Sequence, residues 1–210
     1  MSAATDWYHG THQRFADWRF PPPRSPVKPE LRPHAGVLLT TDMPLAKGAG
    51  RNVCVSRLRP DAKVLDLRLA GEASEAMRQR LYATDLGRHC VRTHDAAVWW
   101  AGWNTGEAMR FAPDQSTFSA RFVQLVPDAQ RAMSGSRQPQ HRAAWLELQN
   151  LTREWIELVA VAGRDMGFDA LIRNEIDSLR KGGAVACEVL FALIDKAIEA
   201  PRWLGAGKGR

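Results

Sequence analysis

Trp7-Tyr8-His9-Gly10-Thr11 is the stretch from which the rest of the chain is read. Trp and Tyr favour extended, half-buried backbone, so Asp6–Gly10 reads as a short strand broken at Gly10-Thr11. A histidine at a strand end followed by glycine sets a side-chain hydrogen-bonding group beside an unobstructed main chain. Glycine is the residue that lets another group approach the backbone closely. The same four residues also fit an ordinary histidine beside a turn, so their meaning depends on what accompanies them.

Working outward, His12–Arg19 reads as one or two helical turns, with Phe15 and Trp18 three apart on one face. Phe20–Pro33 holds six prolines and reads as an extended surface loop. Gly36–Thr40 is an apolar strand. Thr41-Asp42 is a helix N-cap signal with Pro44 in the first turn, and the helix Met43–Lys47 ends at the glycines 48 and 50. Asn52–Arg57 alternates as a strand, Arg59–Ala62 is a turn, and Lys63–Leu67 is a further strand.

The second half begins with a helix over Ser74–Leu86, capped by Ser74. Residues 95–135 carry little pattern beyond the apolar Val98–Trp103 and an alternating strand over Phe118–Val126. Ser134–Gln140 reads as a linker. Gln140–Gly163 is the clearest helix, because Ala144, Leu148, Leu151, Trp155, Leu158 and Ala162 fall on one face. Phe168–Arg173 reads as a strand entered through Gly167, Ile176–Gly183 as a loop suited to a hairpin, and Ala184–Leu193 as the last strand. A short helix follows from Asp195, and 205–210 reads as a disordered tail. Strands and helices do not alternate regularly. The class is therefore α+β with largely antiparallel strands, in one domain over 1–204.

Composition narrows the function classes. The chain has 210 residues, 45% of them hydrophobic, enough for a core without staples. Cys54, Cys90 and Cys187 are odd in number and far apart, and no CxxC pair suggests zinc. His9, His12, His89 and His94 have no spacing that fixes them round a metal. There is no nucleotide-binding glycine fingerprint of the GxGxxG or GxxxxGK[ST] type, and no GxSxG. The absence of a signal pattern or long apolar run implies a cytoplasmic protein without a membrane partner, delivery into a target cell being the alternative. The net charge is +6. Residues 1–60 hold nine Lys/Arg against four Asp/Glu, a bias that suits polyanions or acidic proteins.

Taken in order, these segments resemble the ADP-ribosyltransferase superfamily, in its diphtheria-toxin and poly-ADP-ribose-polymerase-like branch. Tyr8-His9-Gly10-Thr11 resembles the opening strand. Gly36–Asp42 followed by Ala46 resembles the second element, a strand ending in Thr or Ser before a helix. Val53–Leu67 is similar to the next strand pair in bacterial and phage members. Gly167–Ile172 and Glu188-Val189-Leu190-Phe191 are similar to the closing strands. The resemblance covers 7–67 and 163–198, leaving 70–162 as an insertion or helical region.

The resemblance implies a split antiparallel β-sheet core with flanking helices, and mono-ADP-ribosyl transfer from NAD to a macromolecular acceptor, nucleic acid or acidic protein, with NAD glycohydrolase side activity. It implies a toxin or effector with an antitoxin or immunity partner. Glu188 takes the catalytic carboxylate role, with Glu175 as its rival. His9 holds a ribose, the Gly10 backbone holds the nicotinamide amide, and Tyr8, Thr11, Thr40 and Thr41 complete the NAD-binding set. Arg14 or Arg51 would serve the phosphates. One departure stands out: the family's stacking tyrosines are missing, since the chain has only Tyr8 and Tyr82. A stacking ring must come from elsewhere, with Trp99–Trp103 as a source. The alternative reading is a non-catalytic module of the same fold that binds nucleic acid or a protein.

Overall fold

The computed structural model describes residues 5–24, 29–69, 71–84, 125, 127–132, 134–177 and 185–205. Residues 206–210 of the expected tail 205–210, the apolar run Val98–Trp103, the hairpin loop beyond Asp177 and most of the expected strand Phe118–Val126 lie outside them.

Seven described strands form one mixed sheet: β1 (Trp7–Thr11), β2 (Val37–Thr40), β3 (Asn52–Ser56), β4 (Val64–Asp66), β5 (Ala170–Asp177), β6 (Val185–Ala192) and β7 (Arg202–Trp203). Their spatial order is β4-β5-β6-β2-β1-β3-β7. Every pairing is antiparallel except β4 with β5, which is parallel. The class is thus α+β, as the irregular alternation predicts. The pairing is uneven. β1 meets β3 over five registered positions and β2 meets β6 over four, but β1 and β2 share only Tyr8↔Thr40. The β1–β2 pairing is thus shorter than the pairings on either side of it.

Among the described residues, α1 (Met43–Ala49), α2 (Glu72–Tyr82) and α3 (Pro139–Asp165) accompany the sheet, together with the helical stretch 127–132. Helix α3 carries two apolar surfaces in succession. Leu148 and Leu151 pack with Ala129 of the helical stretch 127–132. Further along, Ile156, Val159, Ala160 and Ala162 meet Leu171, Phe191 and Leu193 of the sheet side and Met77 and Leu81 of α2. The opposite sheet face is closed by Trp7, Leu39, Leu190 and Ile198, with Trp18 and Phe20 against them. The proline-rich segment ends as a strap on α3. Arg32 N–H donates to Asn150 Oδ1 at 2.8 Å, Arg153 and Arg164 donate to the carbonyls of Arg32 and Ala35, and Arg142 pairs with Glu30.

Several sequence expectations need correction. Thr11 continues β1 rather than breaking it, and 12–19 forms bends instead of helical turns. Phe15 and Trp18 still meet, with centroids 4.9 Å apart. Leu125, at the end of the expected strand Phe118–Val126, is helical. Ser74 does not cap α2. It lies inside the helix, and its hydroxyl donates to Leu69 O at 2.8 Å. Gly163 does not end α3 either. A Cβ there would stand 2.8 Å from Leu193 Cδ1, so glycine brings the helix close to the sheet. The helix stops at Gly167, whose φ of +81° closes a Schellman turn with Phe168 N–H donating to Gly163 O. The last strands differ in their bounds, and β7 carries no periodic signal because it is two residues long.

Helix α1 is the element that most concerns the site. Asp42 caps it, accepting from Leu45 N–H at 2.8 Å, as the Thr-Asp-x-Pro pattern predicts. The helix runs two residues beyond the expected Lys47, since Gly48 is tolerated within it. It crosses β1 at Gly10, where a Cβ would lie 1.7 Å from the Ala46 carbonyl oxygen. That contact is backbone on backbone and cannot yield by a rotamer change. Gly10→Ala is therefore expected to cost about 1–3 kcal/mol through overpacking. At this length each kcal/mol lowers Tm by roughly 2–4 °C. A Cβ at Gly48, in the same helix, meets nothing within 4 Å, so Gly48→Ala should be neutral or stabilising by up to about 1 kcal/mol. Thermal melts of the two variants followed by circular dichroism test the contrast.

Candidate functional site

The predicted residues fall into two groups on the sheet. The first gathers at the junction of β2, α1 and β6. Thr40 is buried, and its hydroxyl donates to the Glu188 carbonyl at 2.7 Å while accepting from Asp42 N–H at 3.0 Å. Thr41 N–H donates to the same Glu188 carbonyl at 3.4 Å. Two donors thus fix the backbone of Glu188 against the start of α1. In side chain, Glu188 is about one third exposed and its Oε1 accepts from Arg68 Nη1 at 2.5 Å. No other hydrogen bond reaches the carboxylate among the described residues.

Arg68 is in turn held by Asp66 through a two-point fork, Nε to Oδ1 at 2.8 Å and Nη2 to Oδ2 at 2.6 Å. Burial opposes the charge on Asp66, but the hydrogen bonds from Arg68 outweigh it and leave the carboxyl below its usual range. The Asp66 hydrogen bond raises Arg68 above its ordinary value despite partial burial. Asp66 and Arg68 went unassigned at the sequence level. Their only local signal is an acid and a base two apart where a strand ends. Their partner Glu188 lies 120 positions along the chain, and no local pattern links them.

The second group surrounds His9. Its Nδ1 lies 2.8 Å from the Leu38 carbonyl. A carbonyl only accepts, so Nδ1 carries the proton. Burial lowers the His9 pKa, partly offset by that hydrogen bond, and the ring is neutral near pH 7. Nε2 is then an acceptor, with no hydrogen-bond donor from the described residues. Aromatic rings stand around it: Trp18 at 5.4 Å and Phe15 at 6.2 Å, both edge-on, and Trp203 against Phe15 at 5.1 Å. Both indoles are pinned by their N–H groups, Trp18 to Glu199 O and Trp203 to Phe15 O. The rings beside His9 thus come from segments 12–20 and 202–203. Trp99–Trp103, the source the sequence suggested, lies outside the described residues.

The other predicted positions are placed as follows. Tyr8 is half-buried on β1, registered between Thr40 and Val55. Gly10 lends its open side to α1. Thr11 ends β1, its hydroxyl 3.5 Å from Gln13 N–H. Arg14 lies over the Trp203 ring at 5.6 Å and donates to Asn52 Oδ1 at 3.4 Å, while Arg51 is exposed. Glu175 is registered against Cys187, one step out of phase with the Asn174↔Glu188 pair. Cys54 lies opposite His9, its buried thiol pushed up to about 12.

Strand register relates the two groups. Glu188 alternates with Leu190, which pairs with Leu39, and the Tyr8↔Thr40 pair extends to put His9 across from Leu39. Glu188 and His9 therefore share one face. They are separated by two strand spacings and two residues along the strand, about 12 Å between Cα atoms in an untwisted sheet. Leu39 and Leu190, both buried, lie between them. The two polar groups are thus separated by packed core, Leu39 and Leu190 being covered by Trp18, Phe20 and Ile198.

Two other clusters belong elsewhere. An open cleft is lined by Pro127, Gln130, Arg131, Ser134, Ser136 and His141. In it Ser136 Oγ lies 2.7 Å from His141 Nδ1, and Asp128 lies 3.5 Å from Nε2. Asp128 is also paired with Arg131, and Ser136 accepts from Gln138 N–H, so these groups serve the start of α3. No predicted site residue lines that cleft. No group of three metal-ligating side chains occurs among the described residues, and no described helix is long and apolar enough to cross a membrane.

Comparison with known proteins adds one structural likeness. No family model matches the chain, and no curated protein does. A solved structure described as the crystal structure of an anti-CRISPR protein superposes with a TM-score of 0.37 at 13% identity, covering 95% of this chain and 96% of that one.

The buried imidazoles give a testable pH dependence. His34 precedes β2, and burial with the neighbouring charges of Arg153, His9 and Arg173 pushes it down to about 4. Its Nδ1 is buried without a hydrogen-bond partner among the described residues. For a histidine depressed in the folded state, the unfolded chain takes up the proton first as pH falls below about 6.5. His34 therefore costs nothing above pH 6.5, lowers stability progressively between 6.5 and about 4, and adds no further loss below. His9 acts in the same direction. Urea midpoints of the unsubstituted protein should fall between pH 7 and 4.5, and His34→Gln should fall measurably less.

Proposed function

We propose that this chain is an NAD-dependent mono-ADP-ribosyltransferase that passes ADP-ribose to a macromolecular acceptor and hydrolyses NAD when none is present. The observation that carries the reading is the part-exposed carboxylate of Glu188, anchored by one oxygen and with no hydrogen bond at the other among the described residues, on the sheet face that also bears the neutral imidazole of His9. The short pairing of β1 with β2, against the longer pairings that flank it, supports the split-sheet core that the sequence resemblance implies.

In the proposed reaction the bond between ribose C1′ and the nicotinamide nitrogen breaks. Its electron pair leaves with nicotinamide, and the ribose carries the positive charge. The Glu188 carboxylate stabilises that charge, as carboxylates do at glycosidic centres. The incoming nucleophile, a hydroxyl or amine of the acceptor or water, forms its bond to C1′ and passes its proton to the second Glu188 oxygen, which releases it to solvent; an ionised carboxyl of the acceptor attacks with no proton to transfer. His9 Nε2, an acceptor, takes a hydrogen bond from a ribose hydroxyl. Phe15 and Trp18 supply the aromatic surface beside His9 that the missing tyrosines would have given. Arg14 is the nearer of the two candidate arginines for phosphate, because Asn52 and Trp203 orient it beside that group. The basic N-terminal third suits an acidic acceptor surface, nucleic acid or protein. A bacterial or phage effector, with an antitoxin or immunity partner, is the setting that fits such an activity.

Nicotinamide release from NAD by the purified protein tests the reading, with cell lysate as acceptor and without. Glu188→Gln is expected to lower release by about 10²–10³-fold, the loss typical of removing a group aimed at developing charge. His9→Ala should cost about tenfold, the worth of one hydrogen bond. Absence of release in every condition, with no NAD binding, would remove the reading. Salt-sensitive nucleic-acid binding indifferent to Glu188→Gln would then favour the non-catalytic module.

A further inference from the structure

The strand order puts β5 between β4 and β6, so Asp66 and Glu188 sit on strands that do not touch. Arg68 spans the gap. Its backbone is anchored beside β5 by the neighbouring Leu67 N–H, which donates to Ile172 O at 2.8 Å. Its guanidinium reaches across β5, where Asn174 is registered against Glu188, and joins the two acids. Two strand spacings are about 9.6 Å, too far for the carboxylates to organise one another directly.

We infer that Asp66 and Arg68 are positioning residues for Glu188, with Asp66 locking the arginine fork and Arg68 holding Oε1 so that Oε2 faces the reacting sugar. The inference rests on the reading of Glu188 proposed above. The geometry accounts for why two residues are needed. Arginine presents a rigid planar fork, and Asp66 occupies one edge of it completely, leaving only Nη1 to point at Glu188. A mobile arginine would instead chelate Glu188 through both oxygens and close the site. Charge gives a second reason. Arg68 with Glu188 alone is a neutral pair, which stabilises a developing cation poorly. With Asp66 included, the three groups carry a net charge of one negative unit. Asp66 thus restores at the site the charge that Arg68 would cancel. The charged groups facing Glu188 among the described residues are Arg68 and, through it, Asp66. Its cross-strand neighbour Asn174 and the adjacent Thr40 and Thr41 are uncharged.

The test compares the unsubstituted protein with Arg68→Ala, Arg68→Lys and Asp66→Asn. Two readouts are taken: kcat and KM for nicotinamide release between pH 4 and 9, and the carboxyl ¹³C resonance of Glu188 over the same range, assigned by its loss in Glu188→Gln. Arg68→Ala is expected to lower kcat by about 100-fold, the effect of a slightly misplaced group, with KM little changed. Arg68→Lys, which keeps the charge but not the fork, should recover only part of that loss. The Glu188 carboxyl resonance should move when Arg68 is removed and also when Asp66 is neutralised, while resonances remote from the three groups stay in place. A general loosening of structure would move resonances throughout. Unchanged kcat in an active protein, or a Glu188 resonance that stays put in both variants, would overturn the inference. If the unsubstituted protein releases no nicotinamide, the proposed function fails, and the resonance still decides whether the three groups act as a unit. Arg68→Lys and Asp66→Asn nearly preserve volume, so they decide the matter if Arg68→Ala does not fold.

Discussion

The crossing of helix α1 over Gly10 is the contact on which the rest of the site depends. The Ala46 carbonyl stands where a Cβ would be, so the helix rests directly on the strand backbone. With the helix held there, its N-terminus is fixed, and Asp42 caps it from the end of β2. Thr40 and Thr41, immediately before the cap, then hold the Glu188 carbonyl of the neighbouring strand. One close approach on β1 thereby sets the position of a carboxylate two strands away. The glycine expected to admit a ligand from the sequence serves first to admit a helix, because helix backbone and ligand make the same steric demand.

Tight backbone placement on the Glu188 side contrasts with side-chain packing round His9. Phe15, Trp18 and Trp203 come from segments without regular helix, and they are ordered by indole N–H bonds to carbonyls. Two consequences follow for the imidazole. Burial keeps it neutral, and the Leu38 carbonyl fixes its tautomer. A neutral ring with a fixed acceptor recognises a hydroxyl, whereas a charged one would favour phosphate or carboxylate. Charge is concentrated instead at Arg68, Asp66 and Glu188, where partial exposure lets three ionised groups coexist. Arg173 shows the contrary case: it is wholly buried, lying over the Phe191 ring, and its charge helps depress His34.

Much of the local structure was legible because it rests on short-range chemistry. The Thr-Asp-x-Pro cap, the alternation of Asn52–Ser56 and the apolar stripe of the long helix all follow from residues a few positions apart. The misreadings share a cause. Ser74 and Gly163 look like helix boundaries by residue type, yet each is inside a helix for a tertiary reason: a hydroxyl bonded to Leu69 O, and close packing on Leu193. Phe15 and Trp18 keep the proximity that helical spacing suggested, but packing against His9 and Trp203 produces it rather than a helix.

By itself the sequence determined the α+β class, the principal strands and the pairing of a strand-borne histidine with a glycine, since these depend on local propensity and period. It also supplied Glu188 as a candidate. Tertiary structure alone decided the strand order, the short pairing of β1 with β2, the aromatic surround of His9 and the Asp66–Arg68–Glu188 bridge. The strand order and the bridge join residues more than a hundred positions apart or on strands that are not sequential, and Trp203 reaches the rings near His9 from the far end of the chain. Such contacts form only when the sheet closes, and the burial that creates them leaves no mark on any short window of sequence.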